Sequence, residues 1–125
     1  MRVGILGTGD VGRHLGAGFA ARGHEVKMGS REPASDKVKG WVATTGPRAS
    51  AGTFAEAAAF GEVVVLATLW SGTENAIRLA GPLRFAGKVV IDATNPLVFT
   101  PGQTPSLALG HTDSGDALAR PCTGW

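Results

Sequence analysis

The sequence predicts a single α/β domain with a doubly wound, mainly parallel sheet, and three observations carry that expectation. Short apolar, β-branched runs recur along the chain. The segments between them are long enough for helices. A glycine-rich turn joins the first run to the first helical segment. At 125 residues the length suits one domain, residues 1–125, able to bury on the order of two thirds of its unfolded surface, without room for a second, substrate-binding domain.

The apolar runs are Val3 to Leu6, Val26 to Met28, Val63 to Thr68 and Val89 to Ala93, and their alternation with helical segments argues for parallel βαβ units. The first helix is expected from about Asp10 to just before Gly23, with Val11, Leu15 and Phe19 as its core stripe and Gly23 as its terminating glycine. Thr53 to Glu56 and Ser71 to Glu74 both read S/T-x-x-E, the pattern of a reciprocal helix cap. Gly61 and Gly81, the latter followed by Pro82, are expected to end those two helices. Between Met28 and Thr53 the pattern gives a polar stretch from Glu32 to Asp36, a short helix around Lys37 to Thr44 and a short strand near Arg48 to Ser50. After Leu97 the punctuation by Pro101, Gly102, Pro105, Gly110, Gly115 and Pro121 leaves room only for a strand at Leu107 to Leu109 and one helical turn near Asp116 to Ala119.

Composition narrows the function classes. The longest apolar run, Val63 to Leu69, is far too short to span a bilayer. A single basic residue, Arg2, precedes the first strand pattern at Val3, so the charged and apolar regions of a secretory signal are not expected. Cys122 is the single cysteine, which excludes an intrachain disulfide and makes a cytoplasmic location the expectation. A net charge of +2 without a basic run, and no Tyr to stack on bases, speak against nucleic acid as a partner. Glycine is the outlier at 19 residues, several of them directly after strand-like runs, which directs attention to the loops.

Gly7-Thr8-Gly9-Asp10-Val11-Gly12 matches G-x-G-x-x-G. Alone the pattern is weak, but here it follows a strand run, opens a helical segment and precedes a second strand run within one βαβ length, the context of a dinucleotide-binding Rossmann fold. Gly7 would allow the tight turn, Gly9 the approach of a pyrophosphate, and Gly12 the close packing of helix on strand. The unpaired N–H groups of the helix N-terminus supply the anion site. The end of the second strand decides which dinucleotide fits, because a carboxylate there favours the free ribose of NAD. This chain has Gly29-Ser30-Arg31. Arg31 can pair with a 2′-phosphate bidentately, Ser30 can add a hydrogen bond and Lys37 a weaker secondary contact, which predicts NADP(H). Glu32, if it faced the ribose in place of Ser30, would restore NAD; an exposed, solvated Arg31 is the alternative without a ligand.

Two further loops should border the same crevice, since ligands of open α/β sheets bind beyond the strand C-termini. They are Ala67-Thr68-Leu69-Trp70 and Asp92-Ala93-Thr94-Asn95-Pro96-Leu97. Trp70 could cover the cofactor or simply pack at the start of the Ser71 helix. The Asn95 amide could bond the nicotinamide carboxamide or ribose, and Asn95-Pro96 could equally be a turn. His14 and His24 lack visible catalytic partners. His111, Asp113, Ser114 and Asp116 lie too close together to make a triad and read as local turn bonding. No Cys and His spacing supports a metal site.

Together these residues resemble the family of coenzyme F420-dependent NADP oxidoreductases. The likeness lies in Gly7 to Gly12, Gly29-Ser30-Arg31, the strand followed by Trp70, and Ile91-Asp92-Ala93-Thr94-Asn95-Pro96-Leu97, and it covers about residues 1–98. The resemblance implies a pyrophosphate held by the backbone from Thr8 to Val11, a 2′-phosphate held by Ser30 and Arg31, and a nicotinamide beside Asn95 and Pro96. It also implies hydride transfer between NADP(H) and a second carrier, a deazaflavin such as coenzyme F420 or a flavin. Family members are usually longer, and their C-terminal helical portion forms much of the dimer and of the deazaflavin pocket; residues 99–125 read here as an irregular or truncated tail. The alternative is therefore a catalytically idle NADP(H)-binding module, acting as a sensor or completed by another chain. A homodimer is one assembly the architecture allows. An S-adenosylmethionine-dependent transferase also uses a glycine-rich first loop, but gains nothing from Arg31.

Overall fold

The computed structural model describes residues 1–94 and the short strands at 97–98 and 106–107. Five parallel strands, β1 (Arg2–Leu6), β2 (Glu25–Gly29), β3 (Ala49–Gly52), β4 (Val63–Leu66) and β5 (Val89–Asp92), form one sheet in the order β3-β2-β1-β4-β5. These are the first five positions of the Rossmann order, and the chain switches direction across the sheet between β1 and β4. Four helices accompany the strands: α1 (Asp10–Ala21), α2 (Asp36–Thr45), α3 (Phe54–Phe60) and α4 (Trp70–Ala80), with a 3-10 turn at Pro82–Phe85. A separate antiparallel pair joins β6 (Leu97–Val98) to β7 (Ser106–Leu107). The strand expected at Leu107 to Leu109 is represented by β7, while the helical turn near Asp116 lies outside the described residues.

The strands alternate between two cores because successive side chains leave opposite faces of a sheet. Val3, Ile5, Val26, Met28 and Val65 meet Ala20 of α1 and Trp41 of α2 on one face. Leu6, Val64 and Leu66 meet Ala57 and Ala58 of α3, Ala76 and Ile77 of α4, and Phe85 on the other. Parallel strands covered on both faces read as continuous apolar runs, as Val63-Val64-Val65-Leu66 does.

Two expectations about helices are corrected. The buried face of α1 is Gly12, Gly16 and Ala20, not a stripe led by Val11. Val11 is 52% exposed, and Leu15 and Phe19 pack only at the edge of the core. The reason is steric: α1 lies so close to the sheet that its inner face admits small residues only. The reciprocal cap expected at Ser71 and Glu74 is also absent. Helix α4 starts two residues earlier than a cap at Ser71 would place it, at Trp70, with Leu69 in the flanking extended conformation and no side-chain cap. Glu74 instead pairs with Arg78 one turn on. The other two regions follow expectation more closely, with α2 one residue longer at each end than Lys37 to Thr44 and β3 shifted to Ala49–Gly52.

At α3 the expected cap forms. The Thr53 hydroxyl accepts from the Glu56 amide at 3.1 Å, and the Glu56 carboxylate accepts from the Thr53 amide at 2.9 Å. Thr53→Ala should cost about 1 kcal/mol of stability, read as a lower urea midpoint with an unchanged slope. The Thr53 amide, followed by its hydroxyl, also holds the Glu56 carboxyl below its ordinary range. A depressed folded-state pKa stabilises above the unfolded value and is lost as pH falls through the folded one. The stability gap between the parent and Glu56→Ala should therefore narrow on acidification below the normal glutamate range.

Candidate functional site

The C-terminal ends of the strands are aligned by register. Leu6 pairs with Gly29 on one side and Leu66 on the other, Gly29 with Gly52, and Leu66 with Asp92. The loops that follow these residues therefore leave from one edge. Backbone bonds continue the alignment one residue further: Gly7 N–H donates to Gly29 O at 3.2 Å, Ala67 N–H to Leu6 O at 2.9 Å, Ser30 N–H to Gly52 O at 3.0 Å, and Ala93 N–H to Leu66 O at 2.9 Å. The glycine turn, Ser30 and Arg31, Ala67 to Leu69, and Ala93 are thereby brought to a common rim.

Within the glycine turn the three glycines do different work. Gly7 has φ +124°, and a Cβ there would lie 2.4 Å from the carbonyl oxygen of Ala67. At Gly12 a Cβ would come within 2.6 Å of the Gly7 carbonyl oxygen. Both are needed for the turn to pack. Gly9 differs, since it precedes α1 in an extended conformation any residue could adopt and a Cβ there would meet no described residue within 4 Å. The described fold does not explain it.

Helix α1 begins its hydrogen bonding with Arg13 N–H to Gly9 O at 3.0 Å. The amides of Gly9, Asp10, Val11 and Gly12 have no acceptor among the described residues, and they point the positive end of the helix dipole at the rim. Asp10 is exposed and paired with Arg13. Thr8 is half-buried. These positions offer an anion backbone N–H groups rather than side chains, the arrangement that suits a pyrophosphate.

At the end of β2, Ser30 is buried and its hydroxyl accepts from Glu32 N–H at 3.0 Å. That bond uses a lone pair and leaves the O–H free to donate outward. Arg31 and Lys37 are exposed and engage in no ion pair or hydrogen bond among the described residues. Ser35 caps α2 through Val38 N–H at 3.4 Å, so Lys37 sits in its first turn.

The loop after β4 is organised by Thr73, which sequence reasoning did not single out. Its hydroxyl, fully buried, donates to Leu69 O at 3.0 Å and lies 2.7 Å from the Thr68 hydroxyl. The usable signal was a threonine four residues after the loop's last position, the spacing at which a hydroxyl bonds back along a helix. Ala67 is buried beneath Gly12, so any contact it offers a ligand is through its backbone, while Leu69 is 73% exposed. Trp70 opens α4. After β5, the Asp92 carboxylate accepts from Thr94 N–H at 2.8 Å and closes a turn beside half-buried Ala93. Asn95 and Pro96 lie outside the described residues, as does the His111 to Asp116 cluster. His14 contacts the Asp10 carbonyl at 2.7 Å and His24 packs edge-on against Phe19. Both have local structural contacts.

Fold and rim together define an α/β domain of the Rossmann type. Residues 2–96 match the model of the family described as NADP oxidoreductase, coenzyme F420-dependent, and the chain belongs to that family. No curated protein sequence matches the chain. Among solved structures it is similar to a candidate F420-dependent NADP reductase from Arthrobacter sp. FB24, with 33% identity and a TM-score of 0.85 over 98% of this chain and 58% of that one. An imine reductase of Streptomyces aurantiacus follows with 22% identity and a TM-score of 0.62, over 76% of this chain and 32% of that one. GDP-mannose dehydrogenase from Pseudomonas aeruginosa has 19% identity and a TM-score of 0.63, over the whole of this chain and 33% of that one. The last two show the shared fold. The chain spans little more than half of the Arthrobacter protein and about a third of the other two. No described helix is long and apolar enough to cross a membrane.

The two kinds of glycine can be separated by mutation. Gly12→Ala should cost about 1–3 kcal/mol through overpacking, whereas Gly9→Ala should cost only about 0.5–1 kcal/mol, the preference for glycine over alanine at a helix N-cap. Thermal melts of the two variants check this.

Proposed function

We propose that the chain binds NADP(H) across this rim and serves an oxidoreductase that moves hydride between NADP(H) and a second carrier, a deazaflavin such as coenzyme F420 or a flavin. The observation that carries the cofactor reading is the pairing of a cation-bearing β2 end with a free helix N-terminus. Arg31 and Lys37 stand without anionic partners among the described residues, and the Ser30 hydroxyl keeps its proton available. A carboxylate in the place of Ser30 or Arg31 would repel a 2′-phosphate, and none is there.

The residues fit the group. The space left at Gly9 by the described residues, together with the amides of Gly9 to Gly12, unpaired among those residues, suits a pyrophosphate. Arg31 would take the 2′-phosphate as a fork and Lys37 as a point charge. Bound there, the nicotinamide supplies the hydride chemistry. The chain's own task is to fix its position: the Thr68 and Leu69 loop, held by Thr73, and the Ala93 turn, held by Asp92, form the far side of the rim. Asn95 and Pro96 are proposed to border the nicotinamide on the strength of the family motif, and Trp70 to flank the cofactor. The deazaflavin as second carrier is supported by family membership and by the Arthrobacter relative.

Titration with NADPH and NADH tests the cofactor. The parent should favour NADPH, and Arg31→Ala should reduce that preference by about 10–100-fold, the worth of a charge-assisted pair of 1.5–3 kcal/mol. An unchanged ratio would reject Arg31 as the selector. Gly9→Ala, although folded, should weaken both nucleotides alike. Steady-state assay of NADPH oxidation with oxidised coenzyme F420 or a flavin tests the reaction; tight NADPH binding with no turnover on either acceptor would leave only a nucleotide-binding module.

A further inference from the structure

We propose that Trp41 is a positioning residue for the choice of NADPH over NADH: by binding α2 to the first turns of α1, it holds the cationic segment after β2 at a fixed distance from the pyrophosphate turn. The inference rests on the NADP(H) reading above and adds a residue that touches no cofactor. Trp41 is nearly buried, 8% exposed, and its indole N–H donates to the Arg13 carbonyl at 3.0 Å. Arg13 is the residue whose amide closes the first turn of α1 on Gly9. The ring sits where Gly16 leaves room, since a Cβ at Gly16 would lie 2.5 Å from its Cζ2 atom.

Lys37 precedes Trp41 by four residues, so the two share one side of α2. Arg13, Lys37 and Trp41 line a single groove of about 490 Å³ between α1 and α2. The segment between Arg31 and Lys37 is therefore held at both ends. At one end Ser30 is tied to Gly52 and accepts from Glu32 N–H; at the other, Ser35 caps α2, and α2 is joined to α1 through Trp41. A dinucleotide has a fixed spacing between its pyrophosphate and the 2′-position of its adenosine ribose. Loss of the α1–α2 bond would let the cations move relative to the turn. NADPH would lose contact energy by that movement, whereas NADH, which lacks the phosphate, would keep its contacts to the turn.

Two variants loosen the join differently. Trp41→Phe keeps an aromatic ring in the core but removes the N–H together with the outer ring that meets Gly16; Gly16→Ala keeps the N–H and displaces the ring. Dissociation constants for NADPH and NADH are measured for each, alongside thermal melts. Both variants should lower the NADPH preference by about 3- to 10-fold, the worth of one ordinary hydrogen bond, through weaker NADPH binding with NADH unchanged. Should Trp41→Phe be too unstable to titrate, Gly16→Ala decides. Equal weakening of both nucleotides would reduce Trp41 to a general packing residue and overturn the inference, as would an unaltered ratio in a folded variant. A parent protein without any NADPH preference would overturn the cofactor reading itself, an outcome read before either variant is made.

Discussion

The structure depends on one close approach, that of the glycine turn to the backbone at the end of β4. Gly7 takes a backbone angle open to few other residues, its missing Cβ makes room for the Ala67 carbonyl, and the missing Cβ of Gly12 makes room for Gly7 in turn. This stack brings α1 down onto the sheet. Once it is there, the inner face of the helix can carry nothing larger than Gly12, Gly16 and Ala20, and the apolar bulk of that layer has to come from the strands and from α2. Trp41 is the consequence: a large ring supplied by α2 to fill what α1 leaves open.

The same approach creates the chemistry of the rim. A helix whose first amides are pressed against the ends of β1 and β4 presents those amides to whatever lies beyond the strands. The end of this helix is open, with Gly9, Asp10 and Val11 exposed, and among the described residues no side chain caps it, so its first amides remain available to an anion. Gly9 is the position that tells ligand from fold. Gly7 and Gly12 are required by atoms of the protein, but no described residue stands where a Gly9 side chain would go.

What the sequence made legible was set by local patterns with a single physical meaning. Four of the five parallel strands are apolar runs, and the reciprocal cap at Thr53 and Glu56 follows from the spacing of two side chains. The glycine turn was readable because strand, turn and helix agree. The failures arose where tertiary packing chose between local alternatives. Val11, Leu15 and Phe19 fit a helical stripe by periodicity, yet the sheet lay too near for it. Ser71 and Glu74 had the right spacing for a cap, but Leu69 already flanked the helix, and Glu74 found Arg78. Thr73 and Trp41 were missed for a related reason: their importance lies in backbone carbonyls, Leu69 O and Arg13 O, and a carbonyl's availability leaves no trace in residue type.

Cofactor choice and reaction partner are therefore read from different parts of the chain with different force. On the proposed reading, the choice of a phosphorylated ribose is a matter of sign, and sign is written in the residues: cations without partners among the described residues at Arg31 and Lys37, and a hydroxyl at Ser30 that already accepts one bond. Those groups would act only at the right distance from the glycine turn, a distance we attribute to backbone bonds at one end and to an indole N–H at the other. The proposed hydride acceptor would meet the far side of the rim, where Thr73 and Asp92 hold the two loops, so the residues that select it need not be those that select the nucleotide. Under that proposal a few charges choose the nucleotide, while the surface that meets those loops chooses the second carrier.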